Sequence, residues 1–289
     1  MKKLLAVLIC MLLVVGNAFA INDWRQGTNS APIEGTVNPS DIDTNSENYA
    51  FAPLDKLLTN SIHGCSLTYA SASTITVGIG EVNCTDGTIH RFRKNVATTT
   101  LDMAVVGVGG IDSGSAEAAS TLYSVYAVAD ANATTFTVIC GEQGTALSDV
   151  TYYRYIGSFL NNGSSNIEPF YWSGNGPTIH IEYDDVYLNT TLRVLNVGAA
   201  VAFTDVDCSG IVPSTSRSID LQANTGSGCG LYLRANGSSA TNGIYFRPIT
   251  TDDGNGQVCN VPTDTSQVIE YKVSAANSTL YVAGYDFVR

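Results

Sequence analysis

His63, His90 and His180 are the three histidines of this chain, the side chains whose ordinary titration suits proton transfer near neutral pH. None sits in a setting that such chemistry requires. There is no H-E-x-x-H pair to hold zinc, no G-x-S-x-G turn to present a serine, and no Gly-Lys step to cradle a phosphate. His90 and His180 fall in strand-like segments, where a structural histidine is the ordinary outcome. Paired carboxylates could cleave glycosidic bonds, and Asp184-Asp185, Asp205 with Asp207, and Asp252-Asp253 are the pairs on offer. Adjacent acids in turns are ordinarily solvated, whereas a working pair converges from different strands. Calcium is the one cofactor with some support. Asp205, Asp207, Asp252 and Asp253 cluster hard oxygen ligands in loop-like segments, although neither stretch has EF-hand spacing. The residues thus predict no catalytic group and no cofactor beyond that weak calcium option.

Aromatic and sulfur chemistry come next. Tyr152, Tyr153, Tyr155, Tyr171 and Trp172 are the densest aromatic group, and a stacking surface for cell-surface glycan is one use for them. Filling a β core is the plainer use. Seven cysteines are present, of which Cys10 lies in the leader described below. The other six, Cys65, Cys84, Cys140, Cys208, Cys229 and Cys259, form an even set with no C-x-x-C knuckle, which in an exported chain predicts disulfides rather than a metal site. Cys65 with Cys84 is the best single pair, and the connectivity stays open.

The leader is residues 1–20. Lys2 and Lys3, the apolar run Leu4 to Val15 and Ala18-Phe19-Ala20 read as a secretory signal peptide, with Ile21 the first mature residue. A lipoprotein signal ending at Cys10 is the rival, but it leaves nine residues ahead of the cysteine. The run is too short to cross a bilayer, and no later segment approaches the ~20 apolar residues needed, so no membrane insertion of the mature chain is expected. Cleavage leaves 269 residues carrying 12 basic and 26 acidic side chains, a net charge of −14. So acidic a surface repels phosphate and argues against a nucleic-acid partner; Arg91-Phe92-Arg93-Lys94 is the longest basic run and reads as a solvated strand face.

The elements follow from periodicity. Residues 21–50 are polar and aperiodic, an extended arm. Pro53, Asp55 and the spacing of Leu54, Leu57, Leu58 and Ile62 predict one short helix. From Ser66 onward apolar residues recur at every second position, in Ile75-Val77-Ile79, Phe136-Val138-Cys140, Leu122 to Val128, Tyr152 to Ile156, Ile179 to Tyr183, Leu192 to Val197, Leu231-Leu233, Ile244-Phe246, Val268 to Val273 and Leu280 to Val282. Turn runs such as Asn161-Asn162-Gly163 and Gly174-Asn175-Gly176-Pro177 punctuate them. The expected fold is all-β: two antiparallel, jelly-roll-like β-sandwich domains in tandem, at 63–174 and 175–289, after the signal at 1–20 and the arm and helix at 21–62.

Several stretches resemble the tail-fibre, collar and head-fibre proteins of tailed bacteriophages. They are Ala31 to Thr36 followed by Pro53 to Leu58; Asp112 to Tyr123, similar to a D-T-G-S-E-A-A-S-T-W-Y stretch, followed by Tyr152 to Gly157; Leu231 to Ser239; and Val261 to Asp264 with Tyr271-Lys272. The resemblance covers most of residues 31–289 and implies β-sandwich modules used in virion assembly or host-surface contact, commonly as homo-oligomers. A cleavable leader and six further cysteines depart from that pattern. The combined expectation is a non-enzymatic, exported structural or adhesive protein at the cell surface or outside the cell, built from phage-like modules and assembling with itself into an oligomer or filament. A phage virion fibre or decoration protein that binds the host surface is the alternative, and an extracellular polysaccharide-degrading enzyme is a third possibility.

Overall fold

Alternating side chains write the fold strand by strand. In β14 (Ser216–Thr225), Ile219, Leu221 and Ala223 are buried while Asp220 and Gln222 between them reach outward; in β18 (Val268–Val273), Ile269, Tyr271 and Val273 are buried while Glu270 and Lys272 reach outward. A period of two leaves each strand one apolar face, which a facing layer must cover. The computed structural model describes residues 61–130, 132–148, 150–174, 176–226, 229–246, 257–275 and 277–289. These residues belong to one compact unit. The signal peptide, the arm, the helix up to residue 60, Asp252 and Asp253 lie outside the described residues. Ile62, expected at the end of that helix, instead opens a strand, and there is no helix among the described residues.

Among the described residues the strands form four antiparallel sheets. The first has six strands: β1 (Ile62–Gly64), β4 (Gly80–Thr85), β9 (Tyr153–Leu160), β7 (Leu122–Val128) and β8 (Thr137–Glu142) in that order, with β5 (His90–Asn95) also on β4. Three strands, β2 (Leu67–Tyr69), β3 (Thr74–Val77) and β6 (Thr99–Asp102), form a second sheet. The third is again six-stranded, with β10 (Phe170–Ser173), β11 (Thr178–Tyr183), β19 (Ser278–Val288), β14 and β17 (Gln257–Pro262) in order, and β12 (Arg193–Gly198) on β19. The fourth is β13 (Thr204–Asp207), β18, β15 (Leu231–Ala235) and β16 (Ile244–Phe246). The all-β sandwich expected from periodicity is the fold observed.

Strand pairing changes over between β9 and β10. Every named strand before that point pairs within 62–160 and every later one within 170–288. The expected division at 174/175 would cut the β10–β11 hairpin, in which Trp172 opposes Ile181. The hydrophobic cluster does not divide there: Leu67, Ile75, Val125 and Phe159 belong to the same buried set as Ile179, Leu221, Leu233 and Tyr285. Aromatic rings bridge the seam. Phe287 meets Tyr155 across it at 5.9 Å, edge-on, and the Tyr285 hydroxyl donates to the Ser158 carbonyl at 3.3 Å; on its own side of the seam Phe287 also meets Trp172 edge-on at 5.7 Å.

Register shifts shape the third sheet, two of them between β14 and β19 and two between β12 and β19. Between β14 and β19 the pairing slips between Ser216 and Ser218 and again between Asp220 and Leu221. Each slip flips the face to which the following residues point. Leu280 and Val282 face the core on one side of the second slip, Tyr285 and Phe287 on the other, and Asp286 is left on the outer face beside Ser218.

Candidate functional site

The aromatics grouped by sequence do not share a surface. Tyr155 lies in the seam, its hydroxyl 2.9 Å from Ser158 Oγ and accepting from Thr215 Oγ1 at 3.2 Å, and burial pushes its ionisation up to about 12. Trp172 turns inward onto Phe287 and donates Nε1–H to the Gly174 carbonyl at 3.3 Å. Tyr152 lies 4.0 Å beneath the Arg91 guanidinium. Tyr153 and Tyr171, 40% and 60% exposed, are the two open rings of the five. The Tyr171 hydroxyl reaches Asp184 Oδ2 at 3.4 Å, and Asp184 Oδ1 accepts from the Asp185 backbone N–H, so the Asp184 carboxylate is held at the turn.

The six cysteines stand as free thiols. Among the described residues no strand ladder sets one cysteine opposite another: Cys84 opposes Arg91, Cys140 opposes Val125 and Cys259 opposes Leu221. Burial raises the thiols of Cys84, Cys140, Cys208 and Cys259 to about 12. Cys65 rises to about 11, the Arg289 charge offsetting part of the cost of burial. Thiols held protonated in this way are poor nucleophiles and poor metal ligands.

Of the calcium candidates, Asp205 is exposed opposite Glu270, and Asp207 Oδ1 accepts from the Ser209 backbone N–H at 2.8 Å. Glu270, the carboxylate paired with Asp205 across the ladder, is bound by Arg234 Nε. Among the described residues no group of three or more His, Cys, Asp or Glu is disposed to hold a metal ion.

His180 is the histidine with the most structured surroundings. It sits on β11, with Asp286 opposite it on β19 and Ser218 opposite Asp286 on β14. Its Nδ1 lies 3.0 Å from Asp286 Oδ1 and 3.6 Å from Asp220 Oδ2. A carboxylate can only accept, so Nδ1 carries the proton. Ser218 donates its hydroxyl to Asp286 Oδ2 at 2.8 Å, and Asn260 on β17 donates to Ser218 Oγ at 3.0 Å and to Asp220 Oδ1 at 2.8 Å. Serine, histidine and aspartate therefore meet without the order that acyl transfer needs, because the hydroxyl proton goes to the carboxylate and not to imidazole. The strip ties four strands together across an outer face.

Gly284 makes this strip possible. A Cβ there would meet the Ile181 carbonyl oxygen at 2.3 Å, so β19 approaches β11 more closely than any other residue would permit.

The outer face of the fourth sheet holds a second constellation, which sequence spacing did not reveal because its members lie on four separate stretches. Tyr245 on β16 stacks on Tyr232 of β15 at 4.6 Å with 33° between the rings. Lys272 Nζ on β18 lies 4.7 Å from the Tyr232 ring and 4.6 Å from Phe203, which Arg234 also covers at 3.8 Å. Strand register sets Tyr245, Tyr232 and Lys272 in one row, and Arg234, Glu270 and Asp205 in the next. Gly230 leaves room for this: a Cβ there would meet the Tyr245 ring at 2.8 Å. No family model, curated protein or solved structure matches the chain.

Proposed function

We propose that this protein is an exported, non-enzymatic structural or adhesive component that works through flat outer sheet faces and assembles with itself at the cell surface or outside the cell. The observation that carries the reading is the closed polar strip. Ser218, His180, Asp220, Asp286 and Asn260 satisfy one another across four strands, and the hydroxyl and imidazole that could have been poised for a reaction are engaged in holding the sheet. Groups so engaged keep a recognition surface rigid. The leader at 1–20 and the likeness of Asp112 to Tyr123 and Leu231 to Ser239 to phage fibre stretches support export and a fibre-like role.

The test is direct. Protein recovered from the medium is expected to begin at Ile21, to sediment as an oligomer and to bind intact cells. A chain that stays inside the cell, or a secreted monomer that binds no cell, sinks the reading; recovery of the protein in phage particles would put it in a virion.

A further inference from the structure

The outer face of the fourth sheet has a continuous stack with one open end. Phe203, the Lys272 ammonium, Tyr232 and Tyr245 follow one another at 4.6, 4.7 and 4.6 Å, and Tyr245 at the end is 51% exposed. The open ring is held from behind by Tyr232 and from the side by Gly230, so little freedom is lost when something settles on it.

Beside the stack runs a row of opposite charges. Arg234 spends Nε on Glu270 and Nη1 on the Ala240 carbonyl, and Lys272 spends one of its three protons on the Thr241 carbonyl. Further donors remain on both, and Glu270 and the exposed Asp205 supply acceptors. Two cations face three carboxylates here, because Asp207 shares the outer face of β13 with Asp205 on either side of buried Val206, so the face is close to neutral at −1 while the chain carries −12. A strongly charged partner finds little field to follow here. A partner with an apolar face and a rim of hydroxyls finds both of its needs, with donors and acceptors repeated at the strand spacing of ~4.8 Å, about the width of one sugar ring.

We infer that this face is a binding site for a neutral saccharide, one pyranose ring stacking on Tyr245 while its hydroxyls bond to Lys272, Arg234, Glu270 and Asp205. The inference rests on the adhesive reading above and names its ligand and its place. It also moves glycan contact away from the aromatics of 152–172, where Trp172 and Tyr155 are used in the seam.

The experiment uses the full secreted chain on an array of neutral and acidic oligosaccharides, followed by titration calorimetry with the best neutral hexasaccharide. Binding to neutral glycans is expected, unchanged between ~50 and ~500 mM salt because no ion pair carries it. Tyr245→Ala is expected to weaken it about tenfold or more, and Tyr245→Phe, which keeps the ring, by less than about threefold. No binding to any neutral glycan, a preference for acidic glycans that fades with salt, or equal binding by Tyr245→Ala each overturns the inference. A Tyr245→Ala chain that loses self-association in sedimentation overturns it too, giving the face to a second copy. Cell adhesion separates the two claims: adhesion that survives Tyr245→Ala removes this site and keeps the adhesive reading, whereas a wild-type chain that does not adhere removes the reading.

Discussion

Buried sulfur dominates at the scale of single residues. Five of the six thiols are held protonated by burial, Cys65 to about 11 and Cys84, Cys140, Cys208 and Cys259 to about 12. An unfolded thiol ionises near pH ~8.5. Below that pH both states keep the proton, and the preference of the native state for the neutral thiol is fully present. As pH rises from there toward about 12, the unfolded chain loses protons that the native chain retains, so stability falls by up to ~1.4 kcal/mol per pH unit for each such thiol. The urea midpoint is expected to be level from pH 7 to 8 and clearly lower at pH 10.5. Tyr155, also raised by burial, adds to the fall in either case, so the sulfurs are read by comparing protein with and without reductant: a midpoint at pH 7 that drops on reduction means that they are bridged, and the six-cysteine parity read from the sequence would then stand over the thiols seen here.

Loops depend on ties at the scale of elements, and the stretch Asp112 to Tyr123 shows how. Asp112 is buried and its carboxylate accepts from the backbone N–H of Gly114 and of Ser148. At the other end the Tyr123 hydroxyl accepts from Ala118 N–H at 2.8 Å and donates to the Ala116 carbonyl at 2.9 Å, while its ring stacks on Phe159 at 5.5 Å. The motif that suggested fibre modules thus works as a clamp fastening a loop to β7. Tyr123→Phe keeps the ring and removes both bonds, leaving an N–H and a carbonyl without their partner. It is expected to cost ~1–3 kcal/mol in chemical denaturation. A loss below a few tenths would show that the clamp is ornamental.

The seam decides how the whole molecule behaves. Strand pairing alone would give two independent halves, but Phe287 packs on Tyr155 across the seam and the cluster continues through both. The described residues are therefore expected to unfold in one transition, coincident by tyrosine fluorescence and far-ultraviolet circular dichroism. Phe287→Ala, which empties the seam, is expected to cost ~3–5 kcal/mol and to broaden or split that transition. Two well-separated transitions in the unmodified protein would show that the halves fold alone.

By itself the sequence determined what depends on neighbouring residues. Side chains alternate along a strand whatever lies above it, so Val268 to Val273 was legible to the residue as β18; Leu122 to Val128, buried on both faces, was legible to the residue as β7, and the all-β class followed. Polar alternation hid β14, whose Ser216-Arg217-Ser218 start reads as loop, and the core side of β19 beyond Val282 was hidden by a register slip that reverses the pattern between Val282 and Gly284. The tertiary structure alone decided which distant residues meet. His180 reaches Asp286 across 106 positions, and Tyr245 reaches Phe203 through Tyr232 and Lys272. Such meetings are set by strand order and register, which arise from burying whole faces against one another and leave no local trace in the residues that they bring together.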